Sequence, residues 1–292
     1  MVQAIGPMKG RTCVVTGANS GIGKATATGL ARQGARVVMV SRDGPRGEAA
    51  QAQIQSVTGN PSVDLLLADL SSQTAVRTLA AEITGSLDSL HVLVNNAGVL
   101  VNPRVDTVDG LEYTFAVNHL APFLLTNLLL DLLTASAPAR VVTVTSNAHR
   151  MGRIRFDDLQ ARNRFRALGA YSQSKLGNIL FTYELARRVE GLGVTVNCVH
   201  PGGVNTNFGN NTKGAFSAMF RFFKPLMRSP EKGAETVLYA ATAPEMEGVT
   251  GEYLVDRESR TSSRRSYDEG LARQLWDVSA ELTGLDGAQR LA

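Results

Sequence analysis

Thr16-Gly17-Ala18-Asn19-Ser20-Gly21-Ile22-Gly23 joins an apolar β-branched run, Thr12–Thr16, to an amphipathic one that reaches Gln33. A strand that ends in a glycine-rich turn and opens a helix is the entry of an α/β nucleotide-binding unit. Gly17, Gly21 and Gly23 let the backbone turn tightly and approach a pyrophosphate, whose charge meets the amides at the helix N-terminus. The spacing is G-x-x-x-G-x-G rather than the more widespread G-x-G-x-x-G, so the flanking strand and helix decide the reading, not the glycines alone. Gly34, just past the helix, suits a left-handed C-terminal cap.

Outward from this unit the same rhythm continues. Short apolar runs predict strands at Arg36–Ser41, Val63–Ala68, His91–Asn95, Arg140–Thr145, Val194–His200 and Glu252–Val255. Amphipathic runs predict helices at Gly21–Gln33, Arg46–Ser56, Thr74–Thr84, Gly110–Leu133, Tyr171–Val189, Pro230–Ala243 and Tyr267–Leu282. The alternation predicts an α/β fold: a single domain over residues 1–292, built as a doubly wound parallel sheet with helices on both faces. Two stretches interrupt it, an insertion at 147–170 and a segment at 205–229. Both follow C-terminal ends of strands, the edge where open α/β sheets take ligands.

A chain of 292 residues with 43% hydrophobic and 19% charged content can bury a sizeable core. Cys13 and Cys198 fall in apolar runs and read as buried free thiols of a reducing compartment, so a cytoplasmic protein is expected. No window approaches the ~20 apolar residues of a membrane helix. The start, MVQAIGPMKGR, lacks a signal-peptide core. The net charge of +4 is uneven: between Arg150 and Arg166 lie six arginines against Asp157 and Asp158. A solvated insertion and a patch for an anionic ligand or a membrane surface both fit that excess. Nucleic-acid binding would need a recognisable module or a longer basic face, and neither is present. His119, His149 and His200 lack metal-ligand spacing, so no metal is expected, and each reads as a hydrogen-bonded histidine.

Candidate proton chemistry lies in Tyr171-Ser172-Gln173-Ser174-Lys175. Four residues is about one helical turn, so phenol and ammonium project from one face. A nearby cation favours the phenolate of a tyrosine that otherwise titrates near ~10. At the end of the second strand, where an acid commonly grips a ribose 2′-hydroxyl, stand Ser41 and Arg42. An arginine there accommodates a 2′-phosphate and points to NADP(H), while Asp43, directly after it, offers the ribose grip of NAD(H).

The ordered set of the glycine turn, Asp69-Leu70, Asn95-Asn96-Ala97-Gly98, Asn118, Ser146, Tyr171-x-x-x-Lys175 and Pro201-Gly202 resembles the short-chain dehydrogenase/reductase family. The 25 residues from Ser146 to Tyr171, with T-S-N-A-H, F-D-D-L-Q and S-K-L-G-N-I-L-F around them, are similar to its retinol dehydrogenase-like branch. Membrane-bound members of that branch carry an N-terminal anchor, which is not expected here. The resemblance implies a Rossmann-type fold and a catalytic tetrad of Asn118, Ser146, Tyr171 and Lys175. Tyr171 would exchange the proton with a carbonyl or alcohol oxygen that Ser146 also binds. Lys175 would lower the tyrosine pKa and hold the nicotinamide ribose, and Asn118 would anchor a water that reloads the proton. Cofactor contacts would come from Gly17, Asn19, Ser20, Gly21, Ile22, Gly23, Arg42, Asp69, Leu70, Asn96, Ala97, Gly98, Tyr171, Lys175, Pro201, Gly202, Val204 and Thr206, with Asn95 structural. A homodimer or homotetramer is implied as well.

Eight Phe, Met and Leu residues between Phe208 and Met227 read either as an apolar substrate lid or as a helix packed on the core. The expected activity is NADP(H)-dependent interconversion of a lipophilic aldehyde or ketone with its alcohol. Reduction of an activated C=C bond and a non-catalytic NADP(H)-binding sensor are the alternatives.

Overall fold

The computed structural model describes residues 6–203 and 228–285. β1 (Thr12–Thr16) is buried along its whole length because helices cover both faces of its sheet, so the run is apolar throughout instead of alternating. Cys13 and Val15 enter one core layer and Val14 the other. Around β1 lie β2 (Arg36–Ser41), β3 (Val63–Leu67), β4 (Val92–Asn95), β5 (Ala139–Val144), β6 (Val194–His200), β7 (Tyr253–Val255) and β8 (Glu258–Ser259). Their order is β3-β2-β1-β4-β5-β6-β7-β8, parallel throughout except for β8, which runs antiparallel to β7. The seven expected strands form within a residue of the expected bounds. β8 was not expected, and two residues are too few to carry a period.

Helices α1 (Gly21–Arg32) and α2 (Gly44–Thr58) pack on one face together with α8 (Pro230–Thr242). The other face holds α3 (Gln73–Ser86), α5 (Ala121–Leu128), α7 (Ala167–Arg188) and α9 (Glu269–Thr283). The doubly wound parallel class therefore holds. Its strand order reverses between β1 and β4, which opens a crevice at their C-terminal ends.

The helix expected over Gly110–Leu133 is broken. Glu112 caps its start, one carboxylate oxygen accepting from the Thr114 amide at 2.9 Å and the other from the Phe115 amide at 2.7 Å. A single turn, α4 (Tyr113–Phe115), passes into a π turn at Ala116–Leu120, then α5, then α6 (Leu130–Ala135) after a break at Leu129. Pro122 accounts for the π turn, since it has no N–H for the Asn118 carbonyl four residues back and its ring crowds that carbonyl. α7 likewise begins at Ala167, earlier than the expected Tyr171.

The stretch 147–170 opens as a 3-10 turn, Asn147–Met151, and is fastened to the body. Gln173 of α7 donates to the Leu159 carbonyl at 2.9 Å and accepts from the Arg155 amide at 3.2 Å. Arg150 donates to the Thr261 carbonyl at 2.7 Å and Arg162 to that of Gly110 at 3.0 Å, so two of the six arginines serve as ties. The lid expected at 205–229 lies outside the described residues except for Arg228 and Ser229. Among the described residues no helix is long and apolar enough to cross a membrane.

His119, beside Asn118 in the π turn, anchors this region to α9. Its Nε2 lies 3.0 Å from the Ser279 hydroxyl, and its ring sits between Phe115 and Phe123. Trp276 of α9 closes the cluster, edge-on to Phe123 at 5.0 Å and stacked on Phe181 at 5.9 Å. Burial pushes the His119 pKa from 6.5 down to about 4. Because the folded value lies below the unfolded one, the unfolded chain binds the extra proton between them, and stability falls as pH drops through that window. Denaturant unfolding should therefore show about 2–3 kcal/mol less stability from this residue at pH 4.5 than at pH 7. His119→Phe should lose stability at pH 7 but decline less on acidification; an undiminished acid slope in that variant counts against the assignment.

Candidate active site

The glycine turn lies at the C-terminal edge beside the β1/β4 crevice. Gly17 and Gly21 take positive φ of 66° and 55°, which side chains disfavour. Gly23 has an ordinary φ but no room: a Cβ there would lie 2.3 Å from the Gly17 carbonyl oxygen and 2.4 Å from Asn96 Nδ2. Ser20 is the N-cap of α1, exposed, with a side chain that caps nothing, and the first turn holds no acid. Helix-terminal amides that no side chain caps, at a turn whose glycines keep the backbone bare, fit an anionic pyrophosphate. Asn19 lies partly exposed in the turn, whereas Ile22 packs against the core, leaving its backbone to face a ligand.

Beyond β2, Arg42 is exposed and donates to the Tyr113 hydroxyl. Asp43 is the N-cap of α2, its Oδ1 accepting from the Arg46 amide at 3.0 Å. A carboxylate engaged in that way is less available to a ribose. Asp69 Oδ1 accepts from the Ser71 amide at 2.9 Å, and Leu70 packs partly buried on the core.

After β4, the amides of Asn96 and Ala97 both donate to Thr16 Oγ1 at 3.0 Å, and Asn96 Nδ2 donates to the Thr16 carbonyl at 2.8 Å. The Asn96 side chain thus braces the glycine turn from below. Asn95 Nδ2 donates to the Thr126 hydroxyl at 2.9 Å, tying β4 to the helix α5. Thr16 as the hub was not singled out from sequence, where a strand-end threonine carries no signal of its own.

The four tetrad candidates converge on this edge. Tyr171 and Lys175 sit one turn apart on α7, with Nζ 5.6 Å from the Tyr171 ring centroid. Lys175 is 3% exposed and its Nζ donates to the Val144 carbonyl at 3.0 Å. Ser146 hydrogen-bonds the Tyr171 hydroxyl and accepts from the Ala148 amide at 3.2 Å. Asn118 is fully buried and clamps Val99, its Oδ1 accepting from the Val99 amide at 2.7 Å while Nδ2 donates to the Val99 carbonyl at 2.9 Å. Nδ2 also donates to Ser174 Oγ at 3.0 Å, which reaches back to the Tyr171 carbonyl. A Cβ on Gly98 would lie 3.4 Å from Lys175 Nζ, so the loop after β4 passes directly against the ammonium.

The expected acidification of Tyr171 is not what the buried pair shows. Burial pushes its pKa up to about 12, with the Ser146 hydrogen bond opposing, and pushes Lys175 down to about 8. Loss of solvent from the phenolate is the larger cause.

Pro201 and Gly202 follow β6 at the same edge, Gly202 with φ of 83°. Val204 and Thr206 lie outside the described residues. His149 is satisfied at both ring nitrogens and His119 at Nε2. His200 Nδ1 has no partner among the described residues. Among them, too, no group of three or more His, Cys, Asp or Glu is placed to hold a metal ion.

The family model described as short chain dehydrogenase matches residues 11–215. Retinol dehydrogenase 12 of Mus musculus is 45% identical over 276 residues, covering 94% of this chain and 87% of the mouse protein. A crystal structure of an uncharacterized protein from Mycobacterium paratuberculosis superposes with a TM-score of 0.78 at 38% identity, covering 94% of each chain. A short chain dehydrogenase from Burkholderia cenocepacia, solved in complex with NADP, gives 0.67 at 28% identity over 85% of this chain and 96% of its own.

The crowding at Gly23 yields a direct test. Gly23→Ala places a methyl against the Gly17 carbonyl and must displace the turn, so NADPH affinity read by fluorescence titration should fall at least about tenfold, with circular dichroism unchanged. Unaltered affinity would show that the turn is not the cradle.

Proposed function

The chain belongs to the short-chain dehydrogenase family, in its retinol dehydrogenase-like branch, and from that premise we propose that it is an NADP(H)-dependent enzyme interconverting a lipophilic aldehyde or ketone with its alcohol. The observation that carries this reading is the cluster of Ser146, Tyr171 and Lys175 against Gly98, beside the glycine turn.

A bound nicotinamide supplies the hydride. The chain's own residues manage the substrate oxygen. Two hydroxyls that already share a hydrogen bond, those of Ser146 and Tyr171, offer a carbonyl oxygen a pair of donors where negative charge develops. With its pKa raised to about 12, Tyr171 is a phenol at neutral pH and holds the proton that reduction requires. Lys175 favours the phenolate left after transfer, and its own lowered pKa of about 8 suits it to return a proton. Asn118 fixes Val99 and Ser174 around that ammonium. Alcohol oxidation needs the phenolate at the outset, which burial opposes.

Three features support the finer assignments. Arg42 is exposed and oriented by Tyr113, while Asp43 caps α2, which favours a 2′-phosphate over a bare ribose. The Burkholderia relative was solved with NADP. Met151, at the end of the turn that Ser146 begins, is 62% exposed, and Leu168, three residues before Tyr171, is 41% exposed; exposed apolar residues this near in sequence to both hydroxyls suit a lipophilic substrate. The mouse relative's name specifies retinol, itself an apolar alcohol. Two buried free thiols, Cys13 and Cys198, agree with a cytoplasmic setting.

Adding medium-chain aldehydes or aryl ketones should consume NADPH, and Tyr171→Phe should slow this about 10²–10⁴-fold while NADPH binding persists. Tight NADPH binding by a wild-type chain that turns over nothing on a broad panel would favour a sensor. Separately, Arg42→Ala should weaken NADPH about ten- to a hundredfold and leave NADH nearly unchanged. Equal losses for the two nucleotides would defeat the 2′-phosphate assignment.

A further inference from the structure

We propose that His149 is a positioning residue for Ser146, holding the peptide that carries the reactive hydroxyl through its Nδ1–H. The proposal rests on the catalytic reading of Ser146 given above.

Ser146 lies two residues past the end of β5 and caps the 3-10 turn Asn147–Met151, and its own backbone is extended, with φ −156° and ψ 154°. From there the chain reverses sharply, and the direction of the Ser146–Asn147 peptide decides where the hydroxyl points. Two hydrogen bonds from His149 converge on the Ser146 carbonyl, one from its amide at 3.0 Å and one from Nδ1 at 2.7 Å. The ring's other nitrogen, Nε2, accepts from the Ser263 amide at 3.0 Å. An amide can only donate, so Nε2 is unprotonated and Nδ1 carries the hydrogen; the partners fix the tautomer.

The ring has no freedom to do otherwise. It is fully buried, with Tyr253 edge-on at 5.1 Å and 63°. Its backbone is held from the far side, where Gly152 donates to the His149 carbonyl at 2.9 Å. A Cβ on Gly152 would lie 2.4 Å from the Ser172 carbonyl, so the turn sits directly on the first turns of α7. Arg150, His200 and Tyr253 are ionisable neighbours, and burial pushes the His149 pKa down, which keeps the ring neutral. Ser146 Oγ, accepting from the Ala148 amide and bonded to Tyr171, is thereby held between two partners. The imidazole thus couples the reactive serine to the segment after β8 and makes a rigid corner of what would otherwise be a loop.

Two amide substitutions separate the two ring bonds. The Asn side chain can place an N–H where Nδ1 stands, and the Gln side chain can place an oxygen where Nε2 stands. His149→Asn should keep kcat within about threefold of wild type, whereas His149→Gln, whose amide does not put a donor at the Nδ1 position, should lose about ten- to a hundredfold in kcat with NADPH affinity unchanged. His149→Ala, also without a donor there, should lose as much and serves where the Gln variant folds poorly. Combining His149→Gln with Ser146→Ala should slow the residual rate no further than Ser146→Ala alone, because both changes act through one hydroxyl. Equal kcat for the Asn and Gln variants, or a full multiplicative loss in the double variant, overturns the positioning role. A wild-type chain without turnover would overturn the catalytic reading beneath it, an outcome distinct from either.

Discussion

Three consecutive residues at the end of β5 hold one turn of α7, and the arrangement of the site depends on that hold. The Val144 carbonyl accepts from Lys175 Nζ at 3.0 Å, the Thr145 hydroxyl donates to the Lys175 carbonyl at 2.9 Å, and Ser146 shares a hydrogen bond with Tyr171. Side chains on a strand alternate between faces, so three successive ones cannot all reach the same neighbour. β5 avoids the problem by using a main-chain oxygen at its last residue and side chains only beyond it. Helical spacing alone puts Tyr171 and Lys175 on one face of α7. The grip of β5 determines that this face looks at the ligand-binding edge. Because β5 pairs with β4 on one side and β6 on the other, the grip belongs to the middle of the sheet.

The loop after β4 connects the Tyr171–Lys175 pair to the glycine turn. Thr16 receives the amides of Asn96 and Ala97 from one side, and Asn118 clamps both polar groups of Val99 from the other. Residues 96–99 therefore have little freedom, and Gly98 lies between the two fastenings, close to the ammonium. A shift of β1 against β4 would be transmitted to Lys175 through this loop. The π turn belongs to the same construction: Pro122 forces the wider turn, and Asn118 sits at its centre with its amide facing Val99.

What was legible in the sequence was local. The glycine turn, the parallel strands and the one-turn spacing of Tyr171 and Lys175 follow from turn chemistry and periodicity, which act over a few residues. Fastenings across large separations were not legible: Thr16 to Asn96, Arg42 to Tyr113, Gln173 to Leu159, and the clamp of Asn118 on Val99. Each uses a residue type with an ordinary local role, and only the fold supplies its partner. The unbroken helix expected across Pro122 overextended a periodic signal past a residue that cannot donate. The satisfied-histidine reading of His149 needed no partner to be named, whereas its Ser146 and Ser263 contacts could not be named from sequence. The sign of the Tyr171 shift failed for another reason: spacing reveals which charges are near but not how little water is left.

That failure clarifies the electrostatics. Burying an ammonium without an opposite charge is costly, and a carboxylate beside Lys175 would offset much of the cost. Among the described residues none contributes to its titration; burial is the sole cause of its lowered pKa. A glutamate in that position would restore the lysine to full charge, yet it would also neutralise the field at Tyr171 and favour the phenol over the phenolate. With only a neutral carbonyl as partner, the ammonium keeps its field directed at the phenol and stays close to its own titration point. Anything anionic bound at the edge beside Gly98 would raise the lysine pKa and strengthen that field. A ligand there, not a fixed side chain, would then set the charge beside Tyr171.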